Sequence, residues 1–205
     1  MQRISYYWGK FVQLYLTPRI LKNCRIGRYA KVCSGAILND VEIGDYSYIG
    51  HNTMINNCKI GKFCSIAGHS TIGGSSHPIG WISTSPVFHD KKNITGKYYG
   101  NKSWVFREKT CIGNDVWIGS GVMIKSGVTV GDGAVIGMGS VLTKNIPPYE
   151  IWAGNPAKKI KDRFENDIKE KLLNNPWWNG NEQSYVELGQ MIDDPARYTL
   201  NTERE

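Results

Sequence analysis

A six-residue period runs through most of this chain and leaves few folds open to it. In CIGNDVWIGSGVMIKSGVTVGDGAVIGMGSVLTKNIP, residues 111–147, an aliphatic side chain recurs at Ile112, Ile118, Ile124, Val130, Ile136 and Leu142, usually followed by glycine and turn-forming residues. Six matches neither the 3.6-residue turn of a helix nor the two-residue alternation of a long strand. It matches short strands separated by regular corners, and Gly113, Asn114 and Gly119 are residue types that let a chain turn sharply. The architecture that repeats such a unit is a parallel β-helix.

The same period occurs upstream at Ile26, Val32 and Leu38, then Ile43, Ile49 and Ile55, then Ile60, Ile66 and Ile72, with one residue dropped after every third hexad. Three hexads therefore make one coil with three flat sides, and the columns can be written down. One face stacks Ile26, Ile43, Ile60, Ile112 and Val130; the second Val32, Ile49, Ile66, Ile118 and Ile136; the third Leu38, Ile55, Ile72, Ile124 and Leu142. Five coils at about 4.8 Å each predict a prism roughly 25 Å long. Its interior is filled by aliphatic side chains, so any chemistry belongs on the outside.

Three segments depart from the period. Residues 1–23 are expected to cap the first coil, with an amphipathic helix over about Ser5 to Leu16; they hold no apolar run of signal-peptide or membrane-spanning length and no strongly basic face, which argues against membrane association. Residues 75–110 interrupt the hexads of the 24–147 β-helix with an aromatic-rich loop, and long excursions from a compact repeat are commonly functional. Residues 148–205 form a C-terminal extension in which Ile160, Phe164, Ile168 and Leu172 predict an amphipathic helix ended by Pro176. The formal charge of +7 suits an anionic, phosphorylated ligand and is too dispersed to argue for nucleic acid. Five cysteines with no CxxC pair read as reduced thiols of a cytoplasmic protein.

The run NDVWIGSGVMIKSGVTVGDGAVIGMGSVLTKNIPPYEIWAGNPAKKIKDRF, with the loop sequence GGSSHPIGWISTSPVF, resembles hexapeptide-repeat acyltransferases. Within them it resembles the xenobiotic acetyltransferase branch, which includes type B chloramphenicol and streptogramin acetyltransferases and sugar acetyltransferases of surface-polysaccharide biosynthesis. The likeness covers roughly residues 24–178 and implies a left-handed parallel β-helix. Handedness comes from the resemblance alone, because parallel crossovers ordinarily take the opposite hand.

The resemblance also implies a site. His77 coincides with the family's catalytic histidine, and an imidazole can take the proton of an acceptor hydroxyl as it attacks a thioester. Trp81, Ser83, Thr84 and Phe88 fall in the loop that shapes the acceptor pocket, with a backbone N–H or a hydroxyl of Ser83, Thr84 or Ser85 as oxyanion donor. Acetyl-CoA, used as co-substrate without a metal, is implied to lie between neighbouring prisms of a homotrimer. Its contacts would be Trp117, Gly119, Gly137, Met138, Asn155, Pro156, Lys158 and Lys159, the lysines facing its phosphates. The implied activity is O-acetylation of a sugar or nucleotide sugar in O-antigen or capsule biosynthesis; N-acetylation of a nucleotide-linked amino sugar, or O-acetylation of chloramphenicol or a streptogramin, fits the same motifs.

Other classes fit less well. A zinc enzyme resembling the carbonic anhydrases of the β-helix type would use a His-x4-His pair plus a third His, and positions 51, 69, 77 and 89 contain no such pair. His51 and His69 sit inside hexads as coil-face residues, and His89 matches no family position. A non-catalytic scaffold would not need the GGSSHP loop together with GNPAKK. A ping-pong route would need Cys64 or Cys111 as nucleophile.

Overall fold

The computed structural model describes residues 7, 8, 11, 20–105 and 108–201, so the helix expected over 5–16 lies for the most part outside the described residues. The period translates directly into stacked strands. Ile26, Ile43, Ile60, Ile112 and Val130 pair in parallel register as the first face. Val32, Ile49, Ile66, Ile118 and Ile136 pair as the second, and Leu38, Ile55, Ile72, Ile124 and Leu142 as the third. All of these side chains are buried except Ile26, which is 43% exposed on the first coil.

A part-turn extends each end of the five complete coils. Ile20–Lys22 pairs in parallel with Ile37–Asn39, and after the last coil Ile146 bridges to Val130 while Ile151 and Trp152 pair with Val135 and Ile136. The solenoid thus reaches about seven turns rather than five, because the coils recruit flanking residues that lack the hexad signature.

A second inner layer lies two residues before each column position: Ala36, Thr53, Ser70, Val122 and Ser140 on the third side, Ser47, Cys64, Val116 and Ala134 on the second. These residues are small because the corners of a narrow triangle leave little room. Their hydroxyls join coil to coil: Ser47 donates to the Gly61 carbonyl at 2.8 Å and accepts from the Cys64 amide at 2.9 Å, while Ser70 accepts from the Val122 amide at 3.2 Å.

The extension differs from the predicted helix. Glu150–Gly154 and Ala157–Asp162 form an antiparallel hairpin on the open edge of the second face, so Ile160 is a strand residue, 63% exposed. Helix α1 begins only at Asn166 and runs to Asn174, just short of Pro176. Edge pairing of the hairpin satisfies backbone groups that a helix there would leave open. Phe164, Ile168 and Leu172 then pack with Tyr149 and Trp178. The Arg163 guanidinium lies over the Tyr149 and Phe164 rings and donates to the Gly133 carbonyl at 2.6 Å and to Asp115 at 3.1 Å. Burial raises the Asp115 carboxyl above its ordinary value, and Arg163 opposes that rise.

Helices α2, Glu182–Gly189, and α3, Pro195–Asn201, complete the extension. Helix α2 lies near a ladder that the period does not announce: Tyr29, Tyr46 and Phe63, seventeen residues apart, occupy the same corner of successive coils and stack at 5.1 and 4.8 Å. Trp177 and Tyr185 pack on it. Among the described residues no helix is long and apolar enough to cross a membrane.

Truncating a mid-column residue leaves a void that the neighbouring coils cannot close. Ile66→Ala is expected to cost about 2–5 kcal/mol in chemical denaturation, whereas Ile26→Ala, on a half-exposed side chain, should cost clearly less. Equal costs would contradict a core organised as stacked columns.

Candidate functional site

The loop leaves the prism at the corner after the third face. The Gly73 amide still donates to Ile124 at 2.9 Å, with φ at +72°, and a Cβ there would strike the Asn56 carbonyl, so a glycine is required where the chain turns out. The loop returns at Glu108, whose amide donates to the Ser126 hydroxyl at 3.0 Å while that hydroxyl donates back to the Glu108 carbonyl at 2.8 Å. One buried serine on the fourth coil therefore staples the base of the excursion.

Inside, the loop carries its own order. A 3₁₀ turn spans Pro86–Phe88, and the Tyr99 amide donates to the Val87 carbonyl at 2.8 Å. Buried Asn93 donates to the carbonyls of Asp90 and Lys97, each at 2.7 Å. Trp81 meets Trp104 and His89 edge-on at 6.0 and 6.1 Å, and the Trp104 indole N–H lies 3.4 Å from the Ser76 hydroxyl.

His77 stands exposed at the mouth of a cleft of about 660 Å³ lined by Trp81, Trp104, Glu108, Lys125 and Ser126 among others. Its Nδ1 lies 2.8 Å from the Thr84 carbonyl oxygen. A carbonyl can only accept, so in the neutral ring Nδ1 carries the hydrogen and the Nε2 lone pair is left to accept a proton. Thr84 thus faces His77 through its backbone. Ser83 and Phe88 line an adjoining hollow of about 480 Å³ with Trp81 and Lys102, and the Ser83 hydroxyl accepts from the Ser85 amide at 3.1 Å.

Trp104, Glu108, Lys125 and Ser126 were not singled out from the sequence. Lys125 was within reach, since pairing Ile72 with Ile124 puts the residue after each at one corner. Trp104 and Glu108 had no such signal, because nothing local fixes where a long loop returns.

The residues matched to a coenzyme lie elsewhere on the prism. Trp117 and Met138 are 55% and 79% exposed, on the second face and the corner after it. A Cβ on Gly119 would come within 2.6 Å of the Met138 amide nitrogen and one on Gly137 within 2.9 Å of the Ala153 Cβ, so both glycines are demanded by coil stacking itself. Asn155 and Pro156 are exposed at the hairpin tip. Lys159 is held by Glu150 at 2.8 Å and Asp162 at 2.7 Å, which raises its pKa, while among the described residues Lys158 makes no ion pair. Within one chain the third face separates Gly119 from the corner that bears His77, so a single prism does not bring the two groups together.

The bacterial transferase hexapeptide model, of six repeats, matches residues 40–74 and 110–144. A chloramphenicol acetyltransferase of Klebsiella aerogenes is 37% identical over 121 residues, 57% of this chain and 56% of that protein. A protein named as a probable macrolide acetyltransferase, from Lysinibacillus sphaericus, is 40% identical over 111 residues, 52% of this chain and 59% of that protein. The chain therefore spans a little over half the length of these curated relatives. Among solved structures, the N-acyltransferase AntD of Bacillus cereus, in complex with dTDP and 3-hydroxybutyryl-CoA, shares the fold at a TM-score of 0.59 and 22% identity, over 79% of this chain and 86% of that one. The chain thus carries repeats similar to those of the bacterial transferase hexapeptide model, and the two curated relatives it resembles over about half its length are named as acetyltransferases.

The buried cysteines bear on the chemistry. Burial pushes the Cys64 thiol up to about 12 and raises that of Cys58 as well, and the Cys64 sulfur sits 3.0 Å from the Gly113 carbonyl inside the prism. Cys64, fully buried and favoured in its thiol form, is poorly placed to serve as the nucleophile of a ping-pong route, since the thiolate is the reactive form. A thiol reagent at mildly alkaline pH should leave Cys58 and Cys64 unmodified in native protein and label them on denaturation, as read by mass spectrometry. Labelling of either in the native state would contradict this.

Proposed function

We propose that this protein is an acetyl-CoA-dependent O-acetyltransferase acting on a sugar or nucleotide sugar of surface-polysaccharide biosynthesis, in the cytoplasm, by direct transfer. The observation that carries this reading is the 2.8 Å contact of His77 Nδ1 with the Thr84 carbonyl, which leaves Nε2 available as a base in a cleft walled by two indoles, a carboxylate and an ammonium. Indole faces suit a pyranose ring, and Lys125 suits a phosphate or carboxylate on the acceptor.

In this mechanism Nε2 of His77 takes the hydroxyl proton as the acceptor oxygen bonds to the acetyl carbonyl carbon. The tetrahedral intermediate collapses with cleavage of the carbon–sulfur bond. The departing CoA thiolate recovers the proton from the imidazolium, so no acetyl-enzyme forms. A base serves a hydroxyl more than a free amine, which already has a lone pair to attack with. Glu108 favours a second reading, an amino-sugar acceptor whose ammonium a carboxylate would hold.

The separation of His77 from the Trp117–Met138 side supports a composite site, with one prism supplying His77 and its neighbour the coenzyme groove in a homotrimer. Lys158, with no ion pair among the described residues, is the better candidate for a coenzyme phosphate than Lys159.

His77→Ala is expected to lower kcat by about 10²- to 10⁴-fold, with the KM for acetyl-CoA nearly unchanged. The mass of the wild-type protein after acetyl-CoA alone should stay that of the unmodified chain. A near-normal kcat, or an acetylated protein, would overturn the mechanism, and an acceptor panel of sugars, amino sugars, nucleotide sugars and chloramphenicol separates the acceptor classes.

A further inference from the structure

His89 matches no position of the family resemblance, yet among the described residues it is the most enclosed titratable residue of the loop, only 6% exposed. Its backbone is fixed by the 3₁₀ turn, with its amide donating to the Pro86 carbonyl at 3.2 Å. Its Nε2 lies 3.4 Å from the Thr84 carbonyl oxygen, the atom that also receives His77 Nδ1 at 2.8 Å. The two rings meet edge-on with centroids 5.8 Å apart. No hydrogen-bond partner is formed by His89 Nδ1 among the described residues, so its polar contact is spent on that carbonyl.

We propose that His89 is a positioning residue for His77, acting through the carbonyl of Thr84. A carbonyl oxygen has two lone pairs and can accept from both rings at once. With His89 donating through Nε2–H, the carbonyl is held where it accepts Nδ1–H of His77, and His77 presents the bare Nε2 to the cleft. The bracing continues around the loop: His89 packs against the edge of Trp81, Trp81 against Trp104, and Trp104 reaches Ser76, the residue before His77. The histidine is thus fixed at its own backbone and at its ring by one closed circuit of contacts. Thr84 is exposed on a loop, and without a second donor its peptide could rotate and let the His77 tautomer interchange.

The kinetic importance of this device rests on the reading of His77 as base, but the device itself can be tested without substrate. Long-range ¹H–¹⁵N correlation spectra at alkaline pH report which ring nitrogen carries the hydrogen, with the His77 signals identified by their loss in His77→Ala. Wild-type protein is expected to show Nδ1–H on His77 and Nε2–H on His89; the opposite tautomer on either ring overturns the proposal with no further variant needed. His89→Phe keeps the ring and removes the donor, and should mix the His77 tautomers and lower kcat about tenfold, less than loss of the base itself. His89→Gln restores an N–H at similar reach and should recover the Nδ1–H form and most of the rate. A His89→Phe protein that keeps a pure Nδ1–H tautomer on His77 would refute the positioning role. A fully active His77→Ala would refute the catalytic reading and leave the tautomer result standing.

Discussion

Close stacking of coils is the constraint on which this structure depends. Successive turns lie one strand spacing apart, so each inward position must repeat nearly the same shape, and corners must be small enough for the next backbone to pass. Ile49, Ile66, Ile118 and Ile136 meet the first demand, and Gly119, whose missing Cβ admits the Met138 amide, meets the second. The interior that results is a continuous apolar column, and polar groups within it, such as Ser47 and Ser70, join one coil to the next.

That economy leaves the prism flat-sided. The candidate site therefore has to be added to it, and the chain does so with one excursion anchored at Gly73 and Ser126 and ordered largely by its own aromatic and carbonyl contacts. Placing His77 at one corner and the Trp117 side beyond the next face separates the proposed base from the proposed coenzyme groove. The composite site proposed between two prisms would resolve the separation without distorting the core.

The regular part of this arrangement was legible in the sequence because it is periodic: a slip of one residue would turn every column side chain outward, so the spacing alone yields the register from Ile43 to Leu142. The small inner layer was overlooked because Ala36, Thr53 and Val122 share size but not chemistry. The four-residue spacing of Ile160, Phe164, Ile168 and Leu172 starts the expected helix too early, because Ile160 belongs to a strand paired on the edge of the solenoid and the helix begins only at Asn166. His77 was visible through its motif. Its neighbours Trp104, Glu108 and His89 were not, since each is brought there by the path of an aperiodic loop.

The composite site is tested most directly by mixing two inactive forms. One carries His77→Ala; the other keeps His77 but carries Trp117→Glu with Lys158→Glu, exposed changes that set negative charge against the phosphates of the coenzyme. Each homo-oligomer is expected to be inactive. Coexpressed in equal amounts, they should recover about a quarter of wild-type activity, because one interface in four joins an intact His77 to an intact groove in a closed ring. Mixed oligomers that form and stay as inactive as their parents would place base and coenzyme groove on the same chain.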